Sequence, residues 1–152
     1  MSIIFTNYTK GDETKMSLAT YIGTNVEIPT VDEYEDYDES FFIGDCFSSE
    51  YTKKDVMKHH FSTAYIYEVS SHWGIEISSS ASPEVREESK QKLNKLCTMM
   101  KSYIQPGDYF ELISFWIGEE QDKKDGEFTL NIEELNIGEI EIPEKTLVRF
   151  KF

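Results

Sequence analysis

One long helix with clear start and stop signals constrains this chain most, because the other predicted elements must pack around it. Ser82 is a good N-cap, and Pro83 suits the first helical position. Pro106 and Gly107 stop the helical pattern. Between these signals runs one apolar stripe with spacings of three and four, formed by Val85, Ser89, Leu93, Leu96, Cys97, Met100 and Ile104. The sequence therefore predicts a helix over about 83–105 with one buried face.

Most of the remaining chain is predicted to form β-strands. Residues 109–117 are nearly continuous in aromatic and branched side chains, which indicates a central strand covered on both faces. Val148, Phe150 and Phe152 alternate with charged residues, which indicates a half-buried strand. Strands on both sides of one helix favour an α+β fold, an antiparallel or mixed β-sheet with the helix packed on one face. Further strands are expected at residues 2–6, 128–132 and 139–142.

A β-hairpin is predicted just before the helix. Residues 65–69 and 73–77 are short β-rich runs joined through Ser70, Ser71 and His72. The connection lacks the Asn-Gly chemistry that tight hairpin turns favour.

The length of 152 residues indicates a single domain, 1–152, large enough to bury a core without disulfides. Cys46 and Cys97 are far apart and belong to no CxxC motif, so we expect two buried, reduced cysteines. No signal peptide and no apolar run of roughly 18 residues is present, which predicts a cytoplasmic protein with no membrane span.

The charge of the chain is strongly acidic and unevenly distributed. There are 15 Lys and Arg against 29 Asp and Glu, a formal net charge of −14. Residues 16–52 contain no Lys or Arg and nine acidic residues, and residues 102–152 carry five basic residues against twelve acidic ones. Nucleic acid and anionic membranes are disfavoured as partners, because binding them requires clustered basic residues. A basic protein is the natural partner.

The densest acidic segment places six carboxylates and two phenols in eight residues. Like charges this close repel one another, and a basic protein surface would relieve that repulsion while the two tyrosines supplied contact area. A solvated loop that only keeps the protein soluble is the alternative. The candidate partner-binding residues are Asp32, Glu33, Tyr34, Glu35, Asp36, Tyr37, Asp38 and Glu39.

Calcium binding by this segment is not expected, because the EF-hand pattern fails. The twelfth residue counted from Asp32 is Ile43, and from Asp36 it is Phe47, so neither position supplies the closing carboxylate.

Histidine offers little evidence of a metal centre or an active site. His59 and His60 are adjacent in a segment expected to be extended, where they would point in opposite directions, and no zinc-binding spacing supplies further ligands. We expect no metal, no cofactor and no catalytic motif. The one alternative is His72 with Glu68 or Glu76 across the predicted hairpin, where a carboxylate could orient the imidazole beside a small pocket.

The layout of residues 60–74 (HFSTAYIYEVSSHWG), a following helix and residues 115–120 (FWIGEE) resembles that of a group of small uncharacterised bacterial proteins. Those proteins carry cysteines just after the hairpin glycine, where this chain has Ile75, Glu76 and Ile77, so the resemblance transfers no thiol or metal chemistry. A compact, acidic α+β chain is also similar to immunity proteins that neutralise basic toxins.

Three functions are therefore expected in order. The first is an acidic protein-binding module, such as an immunity or inhibitor protein that neutralises a basic, nucleic-acid-binding toxin. The second is a small enzyme or ligand-binding domain with a pocket near the hairpin at residues 65–79. The third is an accessory protein with no discrete site.

Overall fold

The computed structural model describes residues 17–31, 41–44 and 49–152. The strand predicted at residues 2–6, the acidic segment at 32–39 and Cys46 lie outside the described residues. The helices are α1 Glu50–His60 and α2 Pro83–Lys101. The strands are β1 Leu18–Thr24, β2 Phe42–Gly44, β3 Tyr65–Ser70, β4 Tyr109–Trp116, β5 Gly126–Asn131 and β6 Thr146–Lys151.

These strands form one six-stranded sheet in the order β2-β3-β1-β4-β6-β5. All neighbouring pairs are antiparallel except β5 and β6, which run parallel. The expected α+β class with a mixed sheet is confirmed.

The centre of the sheet is formed by β1 and β4. The prediction for β4 is confirmed, since its residues from Phe110 to Phe115 are buried and it lies between β1 and β6. The sequence does not predict β1, because Thr20 and Gly23 interrupt its apolar run. The buried Thr20 hydroxyl is satisfied by the Ser114 hydroxyl at 2.7 Å, which lets a polar residue occupy the core.

Helix α2 contributes to the larger core cluster, together with one face of the sheet. Its Leu93 and Met100 are fully buried and belong to the same cluster as Ile22 of β1. The N-cap at Ser82 is confirmed, because its side chain accepts a hydrogen bond from the Val85 amide at 3.2 Å. The helix ends at Lys101, not near residue 105 as predicted, because residues 102–104 form a turn.

Helix α1 is an element that the sequence does not predict. A capping box starts it: the Ser49 amide donates to the Thr52 hydroxyl, and the Thr52 amide donates to the Ser49 hydroxyl. Its buried Val56 belongs to the cluster on the opposite face of the sheet from α2. His59 and His60 are the last residues of this helix, so the expectation that they lie in an extended segment is wrong.

The predicted hairpin does not form. Strand β3 pairs with β1 and β2, and residues 73–77 make no ladder with it. The chain instead passes close to β1, where the Gly74 amide donates to the Leu18 carbonyl at 2.9 Å. A Cβ on Gly74 would come within 2.9 Å of that carbonyl oxygen, so only glycine fits this approach.

Lys92 of α2 binds the same segment of chain through its buried amine. It donates to the Trp73 carbonyl at 2.6 Å and to the Ser71 hydroxyl at 3.2 Å. Further along, Ile77 forms an isolated bridge with Ile142, and residues 139–142 form no strand, contrary to the prediction. Tertiary hydrogen bonds therefore replace the local hairpin.

Candidate protein-binding surface

The excess negative charge of the described residues is concentrated in one stretch of chain. Residues 17–31, 41–44 and 49–101 contain eight basic and eight acidic residues, whereas residues 119–145 contain ten acidic residues and three basic ones. We call residues 119–145 the acidic edge. Its acidic residues are Glu119, Glu120, Asp122, Asp125, Glu127, Glu133, Glu134, Glu139, Glu141 and Glu144.

The topology of the sheet places this stretch at one side of the molecule. The acidic edge contains β5, the outermost strand next to β6, and the two connections that flank it. The backbone of Lys145 fixes the end of the second connection, because its amide donates to the Ser114 carbonyl at 2.8 Å and its carbonyl accepts from the Asp125 amide at 2.7 Å. Apart from Glu120, which is buried and hydrogen-bonded to Tyr21 of β1, the acidic residues therefore collect around the outer strand.

Some of these carboxylates are paired with lysines. Lys145 lies 3.1 Å from both Asp122 and Glu119, and hydrogen bonds to these two carboxylates raise its pKa. Lys124 pairs with Glu127 at 2.7 Å, and its hydrogen bond lowers the pKa of Glu127.

Other carboxylates of the acidic edge remain unneutralised. Glu134, Glu139 and Glu141 are exposed and have no ion-pair partner in the described part of the chain. Burial and, after it, the charge of Glu76 raise the pKa of Glu144. This surface is therefore suited to receive cations.

A groove of about 680 Å³ lies beside the end of β5. Two short turns shape it: the Asn131 side chain accepts from the Glu133 amide at 2.8 Å, and the Asn136 side chain accepts from the Gly138 amide at 3.2 Å. Apolar side chains and two glutamates line the groove, together with one lysine; these residues are Leu130, Leu135, Ile140, Phe152, Glu134, Glu139 and Lys151. It offers both apolar contact area and negative charge to a bound chain.

The acidic segment at residues 32–39 lies outside the described residues, so its predicted role in binding stays a prediction. The residues of the alternative pocket are described and are not brought together. Glu68 is buried opposite Tyr21 on the face that α1 covers, whereas the Glu76 amide donates to Ser89 of α2 on the other face. His72, which lies between these two residues in the sequence, is exposed.

A buried polar cluster under α1 was not predicted, because its members are far apart in sequence. The Tyr21 hydroxyl donates to Glu120 Oε2 at 3.2 Å, and His60 Nε2 donates to the Glu120 carbonyl at 2.9 Å. His60 is 8% exposed, and its Nδ1 has no hydrogen-bond partner among the described residues. Burial lowers the pKa of His60, and burial followed by the charge of Glu120 raises the pKa of Tyr21.

This cluster secures the fold, because its hydrogen bonds tie α1 and β1 to the start of the acidic edge. Within residues 17–31, 41–44 and 49–152, no group of three or more His, Cys, Asp or Glu side chains is placed to hold a metal ion. In the same residues, no helix has the length and apolar character needed to cross a bilayer.

Comparison with known proteins finds no matching family model, no matching curated protein and no matching solved structure. The charge and geometry of the chain itself therefore indicate its function. The sequence does signal the acidity of residues 102–152, but the groove residues share no motif. Only the sheet order brings them to one edge.

Proposed function

We propose that this chain is an acidic protein-binding module whose partner is a basic protein. The observation that carries the proposal is the acidic edge, which contains ten acidic and three basic residues and lies beside a groove with apolar walls. Partner lysines and arginines would pair with Glu134, Glu139 and Glu141, which have no ion-pair partner in the described residues.

Charge and apolar surface would act at different stages of binding. Unneutralised carboxylates attract a basic protein over a distance and speed association, an effect that salt weakens. The apolar walls of the groove then slow dissociation, since covering the exposed part of side chains such as Leu130 contributes roughly 25 cal/mol per Å² before ordering costs. Such a surface supports rapid, tight and salt-dependent association.

The finer form of the proposal is an immunity or inhibitor protein that neutralises a basic, nucleic-acid-binding toxin in the cytoplasm. It is supported by the match between the charge of the acidic edge and the basic surface that any nucleic-acid-binding protein must present. The segment at residues 32–39 would add a second acidic binding element. The alternative of an enzyme or ligand site that uses His72 with either Glu68 or Glu76 stays a prediction.

The test is affinity capture from a lysate of the source organism, with elution by a salt gradient. The wild-type chain is compared with a variant of the acidic edge, Glu134→Gln/Glu139→Gln/Glu141→Gln. A matched control, Glu27→Gln/Glu84→Gln/Glu87→Gln, removes the same charge from exposed positions elsewhere. A third variant, Asp36→Asn/Asp38→Asn/Glu39→Gln, tests the acidic segment separately.

We expect one basic protein to be retained by the wild type and by the control and to elute at lower salt from the edge variant. The matched control matters because it separates a local surface from the effect of net charge alone. If the same protein elutes at the same salt from all four chains, the proposed surface is wrong.

A further inference from the structure

The outer backbone edge of β5 indicates how the partner could bind, and this inference rests on the proposed function. We propose that the partner supplies an extended, basic segment that adds to β5 as a further strand of the sheet. Two independent features of this place support it: a strand edge with no backbone partner in the described residues, and a groove lined by apolar side chains, two glutamates and one lysine.

The strand edge is unusual because natural proteins normally protect such edges. The sheet ends on the other side at β2, which has only three residues and whose Ile43 carbonyl already accepts the Val31 amide at 2.8 Å. In contrast, β5 has six residues, five of them exposed. It pairs with β6 on one side, and no backbone hydrogen bond reaches its other side from the described part of the chain.

The one protective device in β5 is the charge of Glu127, which disfavours acidic chains but not a basic one. The strand contains no proline and no lysine, and Phe128 exposes an aromatic side chain on it. An edge of this length offers unpaired N–H and C=O groups to any extended chain, and strand addition is a common way to bind a peptide. The edge therefore provides main-chain affinity but no sequence preference.

The groove supplies the sequence preference. Leu130 pairs with Phe150 in the β5–β6 ladder, so its side chain lies on the face of the sheet that α2 covers, and it also lines the groove. Side chains of an added strand alternate between the two faces. Every second residue would therefore point toward the groove, where an apolar side chain can contact Leu130 and Ile140.

Charge selects the kind of partner. Glu134 and Glu139 line the same groove and have no ion-pair partner among the described residues. Lysine or arginine in the added strand would neutralise them. The predicted strand at residues 2–6 of this chain is a competing occupant, but it is uncharged and does not match the acidic lining.

The experiment uses the full chain and synthetic probe peptides of alternating valine and lysine. One peptide is unmodified, and a second carries N-methyl groups on alternate amides, which removes backbone donors along one edge while the charge is unchanged. A third peptide replaces lysine with glutamate. Affinity is measured by titration calorimetry, and amide hydrogen exchange in β5 is followed by NMR.

We expect the unmodified peptide to bind and to slow amide exchange in β5. N-methylation should weaken binding by roughly tenfold or more, because several main-chain hydrogen bonds are lost together. The Glu134→Gln/Glu139→Gln variant should bind both basic peptides more weakly, and the glutamate peptide should not bind.

The outcomes separate the two proposals. If both basic peptides bind equally and β5 exchange is unchanged, strand addition is overturned while the acidic surface stands. If the Glu134→Gln/Glu139→Gln variant binds as tightly as the wild type, the acidic surface itself is wrong. If no peptide binds and β5 amides are already protected, the edge is closed by another occupant, such as residues 2–6, and strand addition is overturned.

Discussion

Removal of Arg149 should destabilise the protein strongly, because it would leave a buried carboxylate without its cation. Glu111 lies in the central strand β4 and is 0% exposed. Its Oε2 accepts hydrogen bonds from Arg149 Nε at 3.0 Å and Nη2 at 2.6 Å, and its Oε1 accepts from the Ser62 amide at 2.9 Å. One carboxylate thus joins β4, β6 and the connection after α1.

The size of the effect follows from this geometry. Breaking a buried ion pair by removing one partner costs about 3–5 kcal/mol. The Arg149 side chain is 32% exposed and the Ser62 bonds would remain, so Arg149→Met should lower the free energy of unfolding by about 3 kcal/mol, the lower end of that range. Glu111→Gln should cost less, about 1.5 kcal/mol, because the remaining guanidinium can be hydrated.

The assay is urea unfolding of both single variants and the double variant, which gives the coupling free energy between the two residues. Lys151→Met is the matched control, since Lys151 is an exposed cation on the same strand, β6, and should change stability by less than about 0.5 kcal/mol. If Arg149→Met is as stable as this control, Glu111 does not depend on Arg149, and the reasoning is refuted.

Three further predictions concern buried polar groups. Burial lowers the pKa of His60 below its ordinary 6.5, so the free energy of unfolding should fall as the pH drops below about 6.5, and pH-dependent unfolding of His60→Gln should lack that fall. Lys92→Met should cost roughly 1–3 kcal/mol in urea unfolding, because the Trp73 carbonyl loses its buried donor; an unchanged midpoint would contradict this. Burial raises the pKa of Cys97 to about 12, so in a Cys46→Ser background a thiol reagent should label it only on unfolding, and rapid labelling of the native chain would show that it is accessible.

The elements that could be predicted from the sequence are those with strong local signals. Helix α2 has its cap, its first-turn proline and its apolar stripe in consecutive residues, and β4 is a nearly unbroken apolar run. The sequence does not predict helix α1, because Val56 is its only buried apolar residue and a single residue does not form an apolar stripe. Its capping box is a local signal that could have revealed where it starts.

The hairpin prediction failed for a different physical reason. Residues 73–77 have strand-like composition, but the Leu18 carbonyl, the Thr20 hydroxyl and the Lys92 amine bind this segment. These partners are distant in sequence, so no local pattern reveals them. Tertiary hydrogen bonding outweighed β-propensity here.

The candidate surface was partly visible in the sequence. The excess of acidic residues in 102–152 is a property of composition and could be counted directly. The parallel pairing of β5 with β6 brings Leu130, Ile140 and Phe152 into one groove with Glu134. Parallel pairing has no short-range turn signal in the sequence, so this groove could not be predicted. The acidic segment at residues 32–39 remains a prediction from sequence.

The most direct test of the central claim is the association rate constant of the captured basic protein, measured by stopped-flow at increasing salt concentration. Wild type and the Glu27→Gln/Glu84→Gln/Glu87→Gln control should associate rapidly at low salt and much more slowly at high salt. The Glu134→Gln/Glu139→Gln/Glu141→Gln variant should start slower and depend less on salt. Association rates that are insensitive to salt and equal for all three chains would contradict an acidic binding surface at this edge of the sheet.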